Sequence, residues 1–214
     1  GICPAKEFVA AAKDPATVRK ELDLPIPAGA ESVQGFLFPD TYLFQRAYPA
    51  EKVLSHMVKT FFENLEDIAP AYDELPAGEL YDKIVLASIV EREYRAEEEA
   101  AKIASVFYNR LEGGMRLQSC ATVVYVLSEE MGKERPEKLT YDDLEVRSDF
   151  NTYRNGGLPP APIANPGAVA LDAAFHPADT DYLYFLLQDP EAGKHTFSRT
   201  LSEHNTAYRL YIKK

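Results

Sequence analysis

Apolar residues recur at helical spacing through most of the chain. In residues 49–66 a proline is followed by apolar positions three and four apart, which predicts an amphipathic helix. Residues 96–111 repeat this spacing before Gly113 and Gly114, a pair that predicts a helix end. Further helices are predicted over residues 4–24, 122–131 and 165–174. The pattern therefore indicates a helix-rich chain.

Capping residues mark where several of these helices begin. Thr140 with Asp143, and Thr200 with Glu203, have the spacing of a capping box, in which side chain and backbone of the first turn bond reciprocally. Asn165 stands directly before a proline, and this combination predicts an N-cap followed by a first-turn proline.

Strand patterns are fewer than helical ones. Residues 182–187 are the strongest candidate, and residues 195–198 are the expected antiparallel partner across a turn at 191–193. Residues 35–44 are aromatic-rich and strand-like on both sides of Pro39, which predicts an edge strand and a turn because an interior proline does not suit a central strand. The predicted fold class is α+β, a helix-rich domain with a small antiparallel sheet.

Two proline-rich segments interrupt the regular patterns. Residues 24–30 contain two prolines and a glycine, which predicts a linker and a subdomain boundary. Residues 151–167 contain four prolines and three glycines, with apolar and amide side chains between them. Long loops without secondary structure of their own tend to be functional or disordered. We expect the second segment to be a structured loop that faces a groove.

The most informative stretch is a run of uncharged, mostly apolar residues at 84–90 that continues into Glu91 and Glu93 without a turn signal. The pattern spans residues 79–94, too long for a typical strand, so we predict a buried helix. A carboxyl group beside a buried stripe suits a general acid, because desolvation favours its protonated form. Glutamates there also commonly form a solvated last turn, and the spacing does not distinguish Glu91 from Glu93.

Composition narrows the possible partners. The chain has 214 residues, 46% of them apolar, and a formal charge of −11, which disfavours a nucleic-acid backbone as the main partner. Cys3 and Cys120 are too few for a disulfide framework and leave the compartment undecided. No stretch of about 18 apolar residues is present, so no membrane span is predicted within these residues.

Most catalytic chemistries lack their motifs here. The four histidines, His56, His176, His195 and His204, form no pair with metal-ligand spacing, so no metal is predicted. There is no nucleophile elbow and no glycine-rich phosphate loop, so no cofactor is predicted either. What remains is a carboxyl group beside aromatic and amide side chains, a combination that suits carbohydrate.

Many short motifs, taken in order, resemble those of the YceG-like family of endolytic murein transglycosylases. The resemblance covers roughly residues 34–208. Each motif alone would be weak evidence, but so many motifs in the same order make the resemblance specific. The matching segments are residues 35–42, 87–93, 104–111, 114–118, 151–153, 157–160, 162–167, 174–177, 182–185 and 195–197.

This resemblance implies a domain organisation and a location. Residues 34–214 would form the catalytic domain, and residues 1–33 would be the tail of a LysM-like region or inter-subdomain helices. Family members are anchored in the cytoplasmic membrane by an N-terminal helix, so a full-length protein would act at the extracytoplasmic face of that membrane. Peptidoglycan strands would be its partner, and peptidoglycan synthases are a further candidate.

The resemblance also implies an activity, which is internal cleavage of the MurNAc–GlcNAc β-1,4 bond with formation of a 1,6-anhydroMurNAc end. It places the catalytic glutamate on Glu91. Where the family commonly has Thr-Asp-Pro-Thr, this chain has Ser119-Cys120-Ala121-Thr122, which puts any role of the aspartate in doubt. The candidate substrate-binding residues are Gln118, Thr122, Asn151, Tyr153, Leu158, Pro159, Pro160 and His195.

Two other functions fit the same residues. One is a muramidase-type hydrolase, which would add water across the bond. The other is a non-enzymatic glycan-binding or cell-wall scaffold module. An open groove containing Glu91, Gln118 and Tyr153 would favour an enzyme over a scaffold.

Overall fold

The computed structural model describes residues 1–16, 19, 26 and 30–212. Its helices are α1 (Ala5–Ala12), α2 (Ala50–Ile68), α3 (Ala77–Glu93), α4 (Ala100–Glu112), α5 (Cys120–Tyr125), α6 (Tyr141–Leu144), α7 (Ala168–Phe175) and α8 (Leu201–Tyr211). The strands are β1 (Tyr184–Asp189) and β2 (Lys194–Ser198), and short 3-10 turns cover Tyr72–Glu74 and Glu97–Glu99. The α+β class is confirmed.

Helix α3 is the centre of the core. Its residues 84–90 are all buried, so both faces of the helix are covered by protein. Helices α4 and α7 pack against it, and α7 also contacts α2 and α4. A helix that is apolar on every side must be enclosed in this way, because no face gains from contact with water. The predicted buried helix is confirmed, and its last residue is Glu93.

The predicted hairpin and both capping boxes are confirmed. Strand β1 pairs antiparallel with β2, with Tyr184 opposite Ser198 and Leu187 opposite His195. Thr140 and Thr200 each accept the backbone N–H of the acidic residue three positions later. Helix α8 packs on this hairpin. Local spacing was sufficient for these predictions because each motif is complete within a few residues.

Residues 35–44 form no strand, so the expected edge strand is wrong. Asn165 accepts the backbone N–H groups of Gly35, at 2.7 Å, and of Leu37, at 3.4 Å, through its Oδ1. A side chain therefore satisfies backbone groups that a neighbouring strand would otherwise pair with. Phe36 is fully buried within an aromatic cluster, so the segment contributes to the core as irregular chain.

The expected starts of three helices are also wrong. Helix α7 begins after Gly167 rather than after Asn165, whose side chain is committed to the segment at Gly35. Helix α4 begins at Ala100, since a 3-10 turn occupies Glu97–Glu99. Helix α5 begins two residues earlier than predicted and continues into a π-helical turn at Val126–Glu130.

The first 33 residues are described only in part. Helix α1 lies within the predicted 4–24 region, whereas residues 17–18 and 20–24 of that prediction, with most of the 24–30 linker, lie outside the described residues. The division at residue 33 stays a prediction. Within the described ranges, no helix combines the length and hydropathy needed to cross a bilayer.

Candidate active site

The two glutamates at the end of α3 line different pockets. Glu93 lines a pocket of about 530 Å³ together with Gln118 and Tyr153. Glu91 lines a separate pocket of about 360 Å³. Residues two apart on a helix point to opposite sides, which separates the carboxyl groups. The expected groove with Glu91, Gln118 and Tyr153 is therefore not formed, because it is Glu93 that accompanies the other two.

The Glu93 pocket is lined mainly by aromatic and cationic side chains. Aromatic rings can cover the apolar faces of a sugar, while arginine and amide groups can bond to its hydroxyls. Within the described part of the chain, Glu93 is the sole carboxylic acid in its lining. The other polar and aromatic residues around it are Arg95, Phe107, Arg110, Gln118, Ser119, Cys120, Tyr153, Tyr184, Phe185, His195, His204 and Tyr208.

The carboxyl group of Glu93 is held in a desolvated position. Desolvation raises its pKa above the usual 4.5 and is the largest influence on it. The Ser119 hydroxyl donates to Oε1 at 2.5 Å, and this bond lowers the pKa, as do the Ala121 N–H and the charges of His195 and Arg95. Burial outweighs these effects, so Glu93 is the carboxyl group suited to remain protonated and donate a proton.

Ser119 and Gln118 are positioned by the loop that follows α6. The Gln118 N–H donates to the Thr152 carbonyl at 3.1 Å, and the Ser119 N–H donates to Oγ1 of the same threonine at 3.0 Å. Gln118 has φ of +51°, a left-handed conformation that non-glycine residues rarely adopt. Such strain persists only where surrounding contacts hold it, and it is concentrated at functional sites.

Arg110 holds residues 115–118 in place through hydrogen bonds to their backbone. Its guanidinium donates to the carbonyl of Leu117 at 2.7 Å and to that of Leu183 at 2.6 Å, which joins the 115–118 segment to the start of the hairpin. It also lies 5.0 Å from the centre of the Tyr184 ring, within cation–π range. Arg110 is absent from the residues predicted from the sequence, although its position on the buried face of α4, three residues after Phe107, is a signal that could have identified it.

Tyr153 and Cys120 meet across the pocket. The Cys120 thiol lies 3.1 Å from the Tyr153 hydroxyl. Desolvation raises the pKa of Tyr153, so the phenol stays neutral and can donate a hydrogen bond. Cys120 therefore lines the pocket at the position for which the family resemblance implies an aspartate.

His195 is fixed by a buried carboxylate. Its Nδ1 lies 2.8 Å from Oε2 of Glu99, and its backbone N–H donates to the same oxygen at 2.9 Å. Only 4% of the histidine side chain is exposed, yet it lines the Glu93 pocket. When Nδ1 carries a proton and donates it to Glu99, the other ring nitrogen, Nε2, does not contact Glu99.

Glu91 makes a structural contact with the long loop. Its Oε2 accepts the backbone N–H of Gly167 at 3.0 Å, just before α7 begins. Ser88, on the preceding turn, donates to the Val85 carbonyl and accepts the N–H of Ile163 at 3.0 Å, so its hydroxyl is fully used by the backbone. This side of α3 therefore holds the loop in place.

Asn151 and Thr122 are buried and lie beneath the pocket rather than in it. The Asn151 amide donates to the carbonyls of Leu144 and Val146 at 2.9 and 2.8 Å, and its oxygen accepts the Tyr153 N–H at 2.9 Å. The Thr122 hydroxyl donates to the Ser119 carbonyl at 2.8 Å. Both side chains shape the loop that presents Tyr153 and have no free surface for a sugar.

Asn151→Ala should therefore destabilise the protein by about 2 kcal/mol, since it leaves buried backbone groups without partners. Urea unfolding measures this change. Asn155→Ala is the matched control, because that amide bonds to backbone carbonyls of the same loop but is exposed. An Asn151→Ala protein of unchanged stability and reduced affinity for glycan would instead support direct binding by the amide.

The Leu158–Pro160 stretch lies away from Glu93. Leu158 packs against the core and Pro159 is buried. Pro160 is exposed and lines a different pocket of about 730 Å³, together with Tyr81 and Phe150. These three residues therefore do not wall the Glu93 pocket, because the loop turns back over the other side of α3.

The raised pKa of Glu93 makes stability depend on pH. The folded protein binds this proton more tightly than the unfolded chain, so the contribution to stability is complete below about 4.5 and is lost as pH rises through the folded pKa. Glu93→Gln should consequently raise the thermal midpoint at pH 7 and leave it nearly unchanged at pH 4. Calorimetry at both pH values measures the difference, and an equal shift at both would contradict the assignment.

No group of three potential metal ligands occurs among the described residues.

The chain matches known proteins over nearly its whole length. A sequence model of the YceG-like family matches residues 5–210. An endolytic murein transglycosylase of Bacillus subtilis is 39% identical over 84% of this chain and 48% of the relative. One of Streptococcus pneumoniae is 30% identical over 92% of the chain and 35% of the relative. This chain thus spans about half or less of these relatives.

A solved structure shares the fold. It is described as a putative yceG-like protein of Listeria monocytogenes, with a TM-score of 0.78 and 37% identity. The alignment covers 94% of this chain and 66% of that structure.

Proposed function

The chain belongs to the YceG-like family, and on this basis we propose that it is the catalytic portion of an endolytic peptidoglycan lytic transglycosylase. The observation that supports this most is the aromatic-lined pocket in which Glu93 is the one carboxylic acid among the described residues. The relatives are named endolytic murein transglycosylases, which supports the glycan strand of the cell wall as the substrate. The site of action would be the cell envelope.

Glu93, rather than Glu91, is the proposed general acid. Its raised pKa suits a group that must carry a proton near neutral pH, and it shares the pocket with Gln118 and Tyr153. Glu91 has a different partner, the Gly167 N–H. The family resemblance pointed to Glu91, two positions away, and spacing alone left both acids open.

The reaction needs a single carboxyl group acting twice. Glu93 first donates its proton to the oxygen of the MurNAc–GlcNAc bond, which breaks as positive charge develops on the MurNAc anomeric carbon. The resulting carboxylate then takes the proton of the MurNAc C6 hydroxyl, while that oxygen bonds to the anomeric carbon. The products are a 1,6-anhydroMurNAc end and a free GlcNAc hydroxyl, and no water is consumed. Because the nucleophile belongs to the same sugar, it is already close to the reacting carbon.

The neighbours of Glu93 have supporting roles in this proposal. The Ser119 hydroxyl holds the carboxyl group, and it stabilises the carboxylate formed after proton transfer. The neutral Tyr153 hydroxyl and the Gln118 amide would donate to sugar oxygens or to the N-acetyl group. His195, held by Glu99, would present Nε2 to the substrate.

The pocket composition also favours transglycosylation over hydrolysis. Hydrolases of the usual kind use two carboxyl groups at a set separation. Glu93 has no carboxylate partner in the described lining of its pocket, and Glu99 is committed to His195. A scaffold role is less well supported, because a purely structural glutamate would be expected to have a salt-bridge partner and no open cavity.

Mass spectrometry of the products tests the proposal. Purified glycan strands incubated with the protein should yield fragments with anhydro ends. Fragments heavier by one water would identify a hydrolase, and intact strands bound without cleavage would identify a scaffold module.

A further inference from the structure

The second pocket at the end of α3 has no role in the mechanism above. It lies on the side of the helix opposite Glu93 and has a volume of about 360 Å³. Its polar lining contains both charge signs, from Arg92, Glu91 and Glu129, beside the amides of Gln34 and Asn165. Such a lining suits a small ligand that carries both a positive and a negative group.

Arg92 provides a cation that no protein group neutralises at short range. The residue is partly buried, and this burial lowers its pKa, as do the charges of Arg135 and Arg95, whereas the more distant charges of Glu91 and Glu129 raise it. Throughout the described residues, the guanidinium has no hydrogen bond and no ion pair within 4 Å. A planar guanidinium matches a carboxylate in geometry. In a chain with a net charge of −11, this unpaired cation is therefore a preorganised position for an anionic group.

The carboxylates of the same pocket provide the opposite sign. Glu91 uses Oε2 for the Gly167 N–H, which leaves Oε1 without that bond. Glu129 is exposed at the pocket and accepts only a 3.3 Å bond from the hydroxyl of the adjacent Ser128. An ammonium group bound near these oxygens would be neutralised while a carboxylate on the same ligand meets Arg92.

The pocket is adjacent to the cleavage site. Ser119 and Cys120 line the Glu93 pocket, and the next residue, Ala121, lines the Arg92 pocket. A helix with its side chains is about 10–12 Å across. An extended peptide covers roughly 3.3–3.6 Å per residue, so a branch of three or four residues attached to a sugar beside Glu93 would reach Arg92.

We propose that this pocket binds the end of the peptide branch of the glycan strand, with Arg92 holding a carboxylate and the two glutamates holding a free amine. The proposal rests on the proposed function, because it requires a peptide-bearing sugar beside Glu93. It adds a substrate requirement, which is that strands with their peptides are cleaved in preference to bare strands.

The test compares two substrates across matched arginine variants. Glycan strands with intact peptides and strands stripped of peptides are cleaved by the unaltered chain, Arg92→Met and Arg209→Met. We expect the unaltered chain to cleave peptide-bearing strands about tenfold more efficiently, which corresponds to one charge-assisted contact. Arg92→Met should reduce that ratio to about one. Arg209, in the last turn of α8, bonds within its own helix and is the control, so its variant should keep the ratio.

A binding measurement separates this proposal from the proposed activity. A free peptide with a diamino-acid residue, carrying a carboxylate and an amine, is titrated into Glu93→Gln protein and followed by NMR. Binding should shift signals around Arg92 and weaken in Arg92→Met and in Glu129→Gln, an exposed substitution that should not disturb folding. If the peptide binds in this way but the unaltered chain cleaves no strand, only the proposed transglycosylase activity is refuted. Absence of binding, or an unchanged substrate ratio in a folded Arg92→Met protein, would overturn the peptide site.

Discussion

Glu93→Gln is expected to lower strand cleavage by about 10²–10⁴-fold, the range that a positioned general acid contributes. The amide cannot donate a proton to the glycosidic oxygen or accept one from the C6 hydroxyl, yet it fills the same volume beside Ser119. The rate of formation of anhydro ends, measured by chromatography and mass spectrometry, gives the effect. The same variant should be at least as stable as the unaltered chain at pH 7, because it removes a buried ionisable group.

Glu91→Gln is the matched control for this experiment. A glutamine oxygen at position 91 can still accept the Gly167 N–H, so the loop should remain in place. Cleavage of strands stripped of their peptides, which do not use the Arg92 pocket, should therefore be mostly retained. Both variants replace a glutamate by a glutamine, two positions apart on the same helix. A difference in their activity therefore reports which of the two pockets contains the catalytic carboxyl group. If Glu91→Gln lost the activity and Glu93→Gln kept it, the assignment implied by the family resemblance would be correct and ours would be wrong.

Arg110→Met is expected to destabilise the fold by about 3 kcal/mol. The variant removes a buried guanidinium that donates to the carbonyls of Leu117, Leu183 and Arg116. Hydrogen bonds to charged groups contribute more than neutral ones, and the carbonyls left behind remain partly buried without donors. Urea unfolding measures the free-energy change. Cleavage at a temperature where the variant is folded should also fall, because the segment beneath Gln118 and Ser119 loses its support.

Arg154→Met is the control for Arg110. Its guanidinium forms an exposed ion pair with Glu145, and such pairs contribute little to stability. We expect a change within about 0.5 kcal/mol. If Arg110→Met cost no more than this control, the guanidinium would not be holding the hairpin and the 115–118 segment together.

The proposed site is formed where four separate elements end. Helix α3 provides Glu93, the segment before α5 provides Gln118 and Ser119, the loop after α6 provides Tyr153, and the hairpin provides His195. Bonds between elements hold several of these residues: the Ser119 hydroxyl donates to Glu93, Thr152 accepts the Ser119 backbone N–H, and Glu99, in the 3-10 turn before α4, holds His195. Such mutual support keeps a catalytic arrangement fixed before the substrate binds.

The sequence by itself was enough for features with short-range causes. The buried helix predicted over residues 79–94, the two capping boxes and the hairpin are all confirmed, with the helix observed at Ala77–Glu93. Each depends on residues that are close together in the sequence. The spacing of apolar residues predicts the helix and the strands, and the spacing of polar residues predicts the capping boxes. The family resemblance likewise depends on short motifs in order. These features required no knowledge of how distant segments meet.

The tertiary structure was needed wherever a side chain is used by a distant segment. Asn165 has the sequence of an N-cap, but it accepts backbone N–H groups from the Gly35 segment, 130 positions away in the chain. Asn151 has an amide of the kind that binds sugar hydroxyls, but this amide donates to the carbonyls of Leu144 and Val146 in its own loop. A hydrogen-bonding group has few partners, and which ones it meets depends on packing rather than on spacing.

The choice between Glu91 and Glu93 has the same physical basis. Both follow the same apolar run, and the helical period allows either to face a cavity. Packing encloses the Glu93 carboxyl group beside Ser119, which raises its pKa, and gives the Glu91 carboxylate a backbone partner at Gly167. Desolvation depends on the atoms that surround a group in space, so the sequence could locate two acids at the end of α3 but only the fold could differentiate them.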